Sequence, residues 1–254
     1  MNRRRLDQEL VERGQAGSRT EAQRLITAGG VRVEGVLSPR PATLVGTATG
    51  ISLTTDGPRF VSRGGDKLDH ALEVLGVDPG GKRCLDVGAS TGGFTDVLLH
   101  RGALRVTALD VGYGQLHPRL ARDPRVEVMD RTNIRHANSS LLGLFEVVVA
   151  DLSFISLCTV VNRLSELAEE GADCLTLVKP QFEAGRRLVG KRGVVRDPRV
   201  HSEVIRKVGA CLQGAGLGPG RVVASPLRGA KSKNSEFFIW SVKGGAEMQG
   251  WEER

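Results

Sequence analysis

Between residues 82 and 242, short apolar runs alternate with amphipathic segments of helical length. This alternation predicts a mostly parallel sheet, because successive parallel strands need a crossover between them and that crossover is usually a helix. The chain is therefore assigned to the α/β class. We expect strands over 83–88, 104–110, 125–129, 145–150, 173–179, 221–225 and 236–242, and helices near 66–76, 93–101, 156–169 and 199–213.

The N-terminal part of the chain has a different pattern, which predicts a small separate unit. The stretch R-R-R-L-D-Q-E-L-V-E-R is typical of an amphipathic helix that ends at Gly14. A second helix is expected over residues 20–28, and Ser18 and Glu21 have the spacing of a capping box at its start. A strand and a tight turn follow. This unit is too small for an enzyme core, and arginines occur on nearly every element.

Composition changes along the chain predict four segments. The small unit covers residues 1–56, and the turn-forming stretch T-T-D-G-P leads into a linker at 57–63. The large unit is expected over 64–245, and the polar residues 246–254 form a tail.

The chain is basic, with a formal net charge of +7. A charge of this size suits a polyanionic partner and does not by itself choose between nucleic acid and an acidic membrane surface. Aromatic residues make up only 4% of the chain, so phosphate contacts are expected to outweigh base stacking. For any single arginine, a solvated loop is an equally good interpretation. The candidate phosphate contacts are Arg4, Arg5, Arg19, Arg24, Arg63, Arg186, Arg187, Lys191, Arg192, Lys231 and Lys233.

The four cysteines, Cys84, Cys158, Cys174 and Cys211, are scattered and form no C-x-x-C pair. We interpret them as reduced structural thiols, with no zinc site and no disulfide framework. The basic N-terminus is not followed by the apolar run of a signal peptide. No apolar stretch approaches the roughly 18 residues of a membrane span, so a soluble protein is expected. The scattered thiols favour a cytoplasmic location and no metal site.

A glycine-rich turn follows the first expected strand of the large unit, in the stretch R-C-L-D-V-G-A-S-T-G-G-F-T. Glycines without a Cβ let the backbone approach a ligand closely, and ligands bind at the carboxyl ends of such strands. Asp110 ends the next strand, 22 residues after Gly88, where a carboxylate can accept both hydroxyls of a ribose.

The glycine spacing is G-x-x-x-G-G rather than G-x-G-x-x-G, which disfavours a dinucleotide. Asp86 would repel a phosphate, so a nucleoside without phosphates fits better, and S-adenosylmethionine with its positive sulfonium is such a ligand. Asp130, after the third strand, is placed to meet the adenine amino group. Each aspartate alone is more simply a cap or turn former. The candidate cofactor contacts are Asp86, Gly88, Ser90, Thr91, Gly92, Gly93, Phe94, Asp110, Asp130 and Asp151.

Two further expected strands end in charged residues, Asp151 and Lys179. Their carboxyl ends point to the same edge of the sheet, so both side chains are expected beside the cofactor's reactive end. Lys67 and Glu236 are candidates to join them, and Pro180 fixes the backbone exit after the lysine. The alternative is that these four residues form two surface salt bridges.

The small unit resembles the S-four-type, or alpha-L, RNA-binding module in R-L-D, S-R, L-I and V-x-V-x-G. The order Lys67, Asp151, Lys179, Glu236 resembles the K-D-K-E tetrad of the FtsJ-like ribose 2′-O-methyltransferases, with the flanks D-L-S-F and V-K-P-Q-F-E. Together with R-G-G-x-K-L, these motifs make the chain similar to the TlyA family of ribosomal RNA 2′-O-methyltransferases, also labelled haemolysins. Phe60 replaces a tryptophan expected in some relatives.

The resemblance implies a Rossmann-like class I methyltransferase domain after a small α+β RNA-binding domain, with S-adenosylmethionine as cofactor. It implies methylation of a cytidine ribose 2′-OH in ribosomal RNA or ribosomal subunits. Lys179 would contact that hydroxyl as an electrostatic stabiliser or a general base, Asp151 and Glu236 would orient it, and Lys67 would balance charge. The alternatives are an RNA-binding protein with a degenerate methyltransferase fold, a base methyltransferase and a membrane-active haemolysin.

Overall fold

The computed structural model describes residues 3–246 and 250, apart from 28, 35, 38, 39, 54–58, 191, 192 and 230–233. The side chains of residues 36, 37, 139 and 186 also lie outside the description. The chain divides into two compact units, Met1–Arg63 and Gly64–Arg254. The predicted linker at 57–63 falls at the end of the first unit, and its residues 57 and 58 lie outside the described residues.

The first unit packs two helices against short antiparallel strands. Its apolar centre includes Leu6, Leu10 and Ile26, each fully buried. The predicted first helix is preceded by a strand, because the three arginines pair with a later strand instead of continuing the helix. The elements are β1 (Arg3–Arg5), α1 (Leu6–Glu12), α2 (Arg19–Thr27), β2 (Val31–Val33), β3 (Val36–Leu37), β4 (Leu44–Gly46) and β5 (Ile51–Leu53).

Polar contacts fix both helices of this unit. The Ser18 hydroxyl accepts a hydrogen bond from the Glu21 amide (3.2 Å), as the predicted capping box requires. The Glu21 carboxylate accepts its bond from the amide of Gly17 (2.8 Å), one residue before the expected Ser18 amide. Asp7 is fully buried and accepts hydrogen bonds from Arg5 and Arg19. The Arg5 guanidinium holds the pKa of Asp7 well below its usual range.

The second unit is a seven-stranded sheet with helices packed on it. Its strands are β6 (Arg83–Val87), β7 (Arg105–Leu109), β8 (Val126–Met129), β9 (Phe145–Ala150), β10 (Ala168–Val178), β11 (Leu217–Ala224) and β12 (Phe237–Lys243). Its helices are α3 (Arg63–Leu75), α4 (Gly93–His100), α5 (Pro118–Ala121), α6 (Ser139–Leu142), α7 (Val161–Leu167), α8 (Pro180–Glu183) and α9 (Pro198–Gly214).

The strand order is β11-β12-β10-β9-β6-β7-β8, and β12 runs antiparallel to both of its neighbours. The other pairs, from β10 to β8, are parallel. The central strands β6 and β9 are almost entirely buried, as expected for strands covered on both faces. This confirms the predicted mostly parallel α/β sheet.

The predicted helix over 156–169 is divided in the structure. A 3-10 turn at Leu157–Thr159 precedes α7, and β10 begins at Ala168, earlier than the expected residue 173. The prediction of four reduced thiols is wrong for two of them, because Cys158 in this turn forms a disulfide with Cys211 on α9. The two residues are 53 positions apart, and only packing of the turn on α9 brings their Cα atoms to 5.4 Å. The other two cysteines are buried thiols.

Within the described part of the chain, none of the helices combines the length and apolarity needed to cross a bilayer.

Candidate active site

Strand register brings three of the predicted residues to one edge of the sheet. Asp151 directly follows Ala150, which pairs with Thr176 in the parallel β9–β10 ladder. Lys179 follows Val178, and Glu236 precedes Phe237, the antiparallel partner of Val178. The carboxyl ends of β9 and β10 and the start of β12 therefore lie side by side.

The ammonium group of Lys179 is held by two residues of the loop after β9. Its Nζ lies 2.6 Å from Oδ1 of Asp151, an ion pair whose angles are not those of a hydrogen bond. The same Nζ donates a hydrogen bond to the hydroxyl of Ser153 at 2.8 Å. The Lys179 side chain is only 11% exposed, and Pro180 begins α8 directly after it, so its position is well defined.

Lys67 and Glu236 form a second ion pair at 2.5 Å, with side chains 12% and 4% exposed. Lys67 lies in the second turn of α3. The expectation was that Glu236 would orient Lys179, whereas in the structure it binds Lys67. The four predicted catalytic residues thus form two ion pairs, and their burial does not fit the alternative of surface salt bridges.

A cavity of about 490 Å³ opens at this edge of the sheet. Four predicted cofactor contacts line it, namely Gly88, Ser90, Asp110 and Asp151. Ser153 lines it as well, so the loop that holds Lys179 also forms a wall of the cavity. Among the described residues that line it, two are acidic and none is basic.

Asp86 lies under this edge of the sheet and is fully buried. Its Oδ2 accepts hydrogen bonds from the amide (2.9 Å) and the hydroxyl (2.6 Å) of Thr95. Its Oδ1 has no hydrogen-bond partner within the described residues. Burial raises the pKa of the Asp86 carboxyl to about 7; the Thr95 hydroxyl opposes the rise, and the charge of Asp151 adds to it.

The two other predicted aspartates are engaged by backbone amides. Asp110 accepts hydrogen bonds from Ser90 (2.8 Å) and Gly112 (2.7 Å), which shape the cavity wall. Asp130 accepts one from Gly114 at 2.9 Å and does not line the cavity. The expected contact of Asp130 with an adenine therefore stays a prediction that the geometry does not support.

The remaining residues of the glycine turn also lie outside the cavity wall. A Cβ on Gly92 (φ +93°) would meet side-chain carbons of Leu120 and Leu116, so this glycine makes room for packing. Phe94 packs on Phe238 with ring centroids 5.9 Å apart. Neither Thr91 nor Gly93 contributes to the wall. Gly88, by contrast, lines the cavity. A Cβ at this position (φ +87°) would lie 2.6 Å from the carbonyl oxygen of Asp151, so a glycine is needed for the backbone after β9 to approach this closely.

Sequence reasoning missed several wall residues. Thr132 and Asn133, two and three residues after Asp130, line the cavity, as does Gln115. A run of polar residues after the third strand is the available signal, and the sequence does not show that Thr132 and Asn133, rather than Asp130, face the cavity. A serine within D-L-S-F carries no chemical signal by itself, so the sequence does not single out Ser153.

The candidate phosphate contacts are only partly described. In the first unit, Arg4 pairs with Glu12 at 3.0 Å, and Arg5 and Arg19 bind Asp7 while remaining partly exposed. Arg24 and Arg187 are exposed, and Arg63 begins α3. The side chain of Arg186 and all of Lys191, Arg192, Lys231 and Lys233 lie outside the described residues.

A doubly wound, mostly parallel sheet with a cavity at the carboxyl ends of its strands is the architecture of Rossmann-like methyltransferases. A model of the FtsJ-like methyltransferase family matches residues 60–243, and a model of the S4 domain matches residues 4–47. The chain therefore belongs to the FtsJ-like methyltransferase family and, because it is 50% identical to a protein named TlyA, to the TlyA proteins within it.

The chain is 50% identical over 240 residues to the 16S/23S rRNA (cytidine-2'-O)-methyltransferase TlyA of Mycobacterium tuberculosis, covering 94% of this chain and 89% of that one. It is 36% identical over 236 residues to Hemolysin A of Brachyspira hyodysenteriae, covering 92% and 98%. A solved protein of Streptococcus thermophilus that carries a hemolysin name matches with a TM-score of 0.77 at 35% identity, over 100% of this chain and 93% of that one.

Proposed function

We propose that this protein transfers a methyl group from S-adenosylmethionine to the ribose 2′-hydroxyl of a cytidine in ribosomal RNA. The observation that carries the proposal is that two residues lining the cavity also hold the ammonium group of Lys179. Asp151 and Ser153 both line the cavity and both contact Lys179 Nζ. A ligand in the cavity and a hydroxyl beside Lys179 would therefore lie close together at one edge of the sheet.

The residues of the cavity fit a cationic nucleoside. The wall is acidic and carries no basic side chain among the described residues, so a phosphate-bearing cofactor is disfavoured. The buried Oδ1 of Asp86 has no hydrogen-bond partner in the described ranges of the chain, and its carboxyl group lies near the charges of Asp151 and Asp110. When bound, S-adenosylmethionine supplies a methyl group already activated by its sulfonium, while Asp110 and Ser90 would hold its nucleoside part.

The work left to the protein is to position and polarise a poor nucleophile. A ribose hydroxyl loses its proton as it attacks, and that proton would pass to the Asp151 carboxylate beside Lys179 or to water. The fixed ammonium of Lys179 would lower the energy of the alkoxide that develops. Lys179 meets this need, because Asp151 and Ser153 hold its Nζ in place before any substrate arrives. Preformed geometry of this kind reduces the reorganisation needed in the transition state.

The ribosomal RNA partner is supported by the family and by charge. The S4 domain match covers the arginine-bearing first unit, and the relative in Mycobacterium tuberculosis is named for 16S and 23S rRNA. The net charge of +7 suits phosphate contacts. Such a substrate implies a cytoplasmic protein.

The test is transfer of a labelled methyl group from S-adenosylmethionine to isolated ribosomal subunits and to naked rRNA. Wild type should label RNA in a form that resists alkaline hydrolysis as a dinucleotide and yields 2′-O-methylcytidine on digestion. Lys179→Ala should lower the rate by about 10²–10³-fold, the usual loss for one transition-state donor. Lys82→Ala is the matched control, because Lys82 directly precedes β6 and pairs with Asp173 toward the opposite edge of the sheet.

Label in a base instead of a ribose would contradict the proposed reaction. Binding of the cofactor and of RNA without any transfer would favour an RNA-binding protein with an inactive methyltransferase fold. Release of dye from lipid vesicles by wild type, without transfer, would favour the membrane activity that the hemolysin names of relatives suggest.

A further inference from the structure

The loop between Asp151 and Ser156 has no helical or strand structure of its own, although it carries both groups that hold Lys179. At its start, the amide of Asp151 donates to the carbonyl oxygen of Val87 at 2.9 Å. In its middle, Phe154 adopts a left-handed backbone conformation with φ +65°. Such a conformation is unfavourable in a non-glycine residue and persists only where the surroundings enforce it.

A buried carboxylate, Glu183, anchors the far end of this loop. Its Oε2 accepts a hydrogen bond from the Ser156 hydroxyl (2.6 Å), and its Oε1 accepts one from the Leu157 amide (2.6 Å). The residue is 5% exposed. Hydrogen bonds to a charged group are stronger than those between neutral groups, so these two bonds can offset the unfavourable backbone conformation of Phe154.

Glu183 is also rigidly connected to Lys179. It is the last residue of α8, whose single turn begins directly after the lysine and is closed by the Ala184 amide donating to the Pro180 carbonyl (2.8 Å). The backbone oxygen of Glu183 accepts a hydrogen bond from Lys207 on α9 at 2.9 Å. One short turn therefore connects the lysine to the group that anchors the loop around it.

We propose that Glu183 is a positioning residue, which sets the geometry of Lys179, Asp151 and Ser153 by anchoring the loop after β9 to the turn after β10. It does not touch the reacting atoms and acts through these three residues. The inference rests on the proposed function. It adds a fifth ionisable residue to the four predicted catalytic residues, Lys67, Asp151, Lys179 and Glu236.

The two hydrogen bonds allow a sharp choice of variants. Glu183→Gln keeps a carbonyl oxygen for the Leu157 amide, and its NH₂ group can donate to the Ser156 hydroxyl, which serves as donor or acceptor. Glu183→Ala removes both bonds and leaves the buried Leu157 amide without its partner. If Glu183 acts by holding the loop, the Glu183→Gln variant should retain methyl-transfer activity. If the negative charge of Glu183 is required, Glu183→Gln should lose as much activity as Glu183→Ala.

The first measurement is steady-state methyl transfer to ribosomal RNA by wild type, Glu183→Ala and Glu183→Gln. We expect alanine to lower kcat by roughly 10- to 100-fold, because a small misplacement of a reacting group costs up to about 10² in rate. KM for RNA should be unchanged, and glutamine should restore most of kcat. Asp173→Asn is the matched control: this carboxylate of the same strand binds Lys82 and Trp240 at the other end of the sheet.

The second measurement is hydrogen exchange of residues 151–157 in the free protein, which needs neither cofactor nor RNA. The Leu157 amide and its neighbours should lose protection in Glu183→Ala and keep it in Glu183→Gln and Asp173→Asn. Unchanged exchange in the alanine variant overturns the proposal, as does a wild-type kcat. A kcat reduced equally in Asp173→Asn also overturns it, because the effect would then follow stability alone.

The two measurements separate this inference from the proposed function. If wild type transfers no methyl group to any RNA, the proposed function fails, and the exchange series still decides whether Glu183 anchors the loop. If wild type is active and exchange does not respond to Glu183→Ala, the proposed function stands and the role of Glu183 is rejected.

Discussion

Replacing Lys67 by methionine should destabilise the second unit far more than replacing a comparable lysine elsewhere. Lys67 is 12% exposed and its partner Glu236 is 4% exposed, with 2.5 Å between Nζ and Oε2. The methionine leaves a carboxylate buried at 4% exposure without its cation. Removing one partner of a buried ion pair costs about 3–5 kcal/mol, mostly because the remaining charge is desolvated and uncompensated.

The size of the effect can be converted into a melting temperature. For a unit of this size, each kcal/mol lowers Tm by about 2–4 °C, so Lys67→Met should lower Tm by about 6–20 °C. Lys82→Met is the control, because the Lys82–Asp173 pair is longer (3.2 Å) and more open, with side chains 32% and 19% exposed. Fully exposed pairs contribute about 0–1 kcal/mol, so this partly exposed pair should contribute less than the Lys67–Glu236 pair.

The assay is calorimetry of wild type, both single variants and the double variant Lys67→Met/Glu236→Leu. Because apolar residues of similar volume often replace a buried ion pair without loss, the double variant should recover most of the stability. It should not recover methyl transfer if the pair belongs to the active site. Equal melting temperatures for Lys67→Met and Lys82→Met would refute the reasoning, since Glu236 would then be compensated by something other than Lys67.

Four further outcomes are expected. Thiol titration of the unfolded chain without reductant should find two reactive thiols, and four after reduction of the Cys158–Cys211 disulfide; finding four at once would contradict the pairing. Reduction should lower the free energy of unfolding by about 4 kcal/mol, the loop-closure value for 53 residues. Burial raises the pKa of Asp86 to about 7, above its value in the unfolded chain. The free energy of unfolding without cofactor should therefore fall as pH rises from about 4 to 7 and then level off. Denaturant unfolding of Asp86→Asn should lack this pH dependence, and an equal pH dependence would refute the assignment. Asp7→Asn should increase hydrogen exchange in the first unit, because its buried carboxylate binds two guanidinium groups; unchanged exchange would show that the network contributes nothing.

Local patterns in the sequence were sufficient for the fold of the large unit. A continuous apolar strand such as Phe145–Ala150 is stable only in the interior of a sheet that is covered on both faces. The alternation of such strands with helices favours a parallel sheet. The weak predictions lie where local signals compete. The single helix expected over 156–169 became a 3-10 turn and α7, because the turn is held by Glu183 and by a disulfide rather than by helix propensity.

The sequence by itself determined which charged residues stand at strand ends, because a lysine or aspartate after an apolar strand is visible in the chain and the carboxyl ends of parallel strands share an edge. Only the tertiary structure decided how they pair. It joins Glu236 to Lys67, places Ser153 on Lys179, and lines the cavity with Thr132 and Asn133 rather than Asp130. The physical reason is that a contact depends on side-chain direction and loop conformation over a few ångströms. Side-chain direction and loop conformation are set by packing between segments far apart in the chain, such as those that carry Lys67 and Glu236. Local propensity contains no information about such packing.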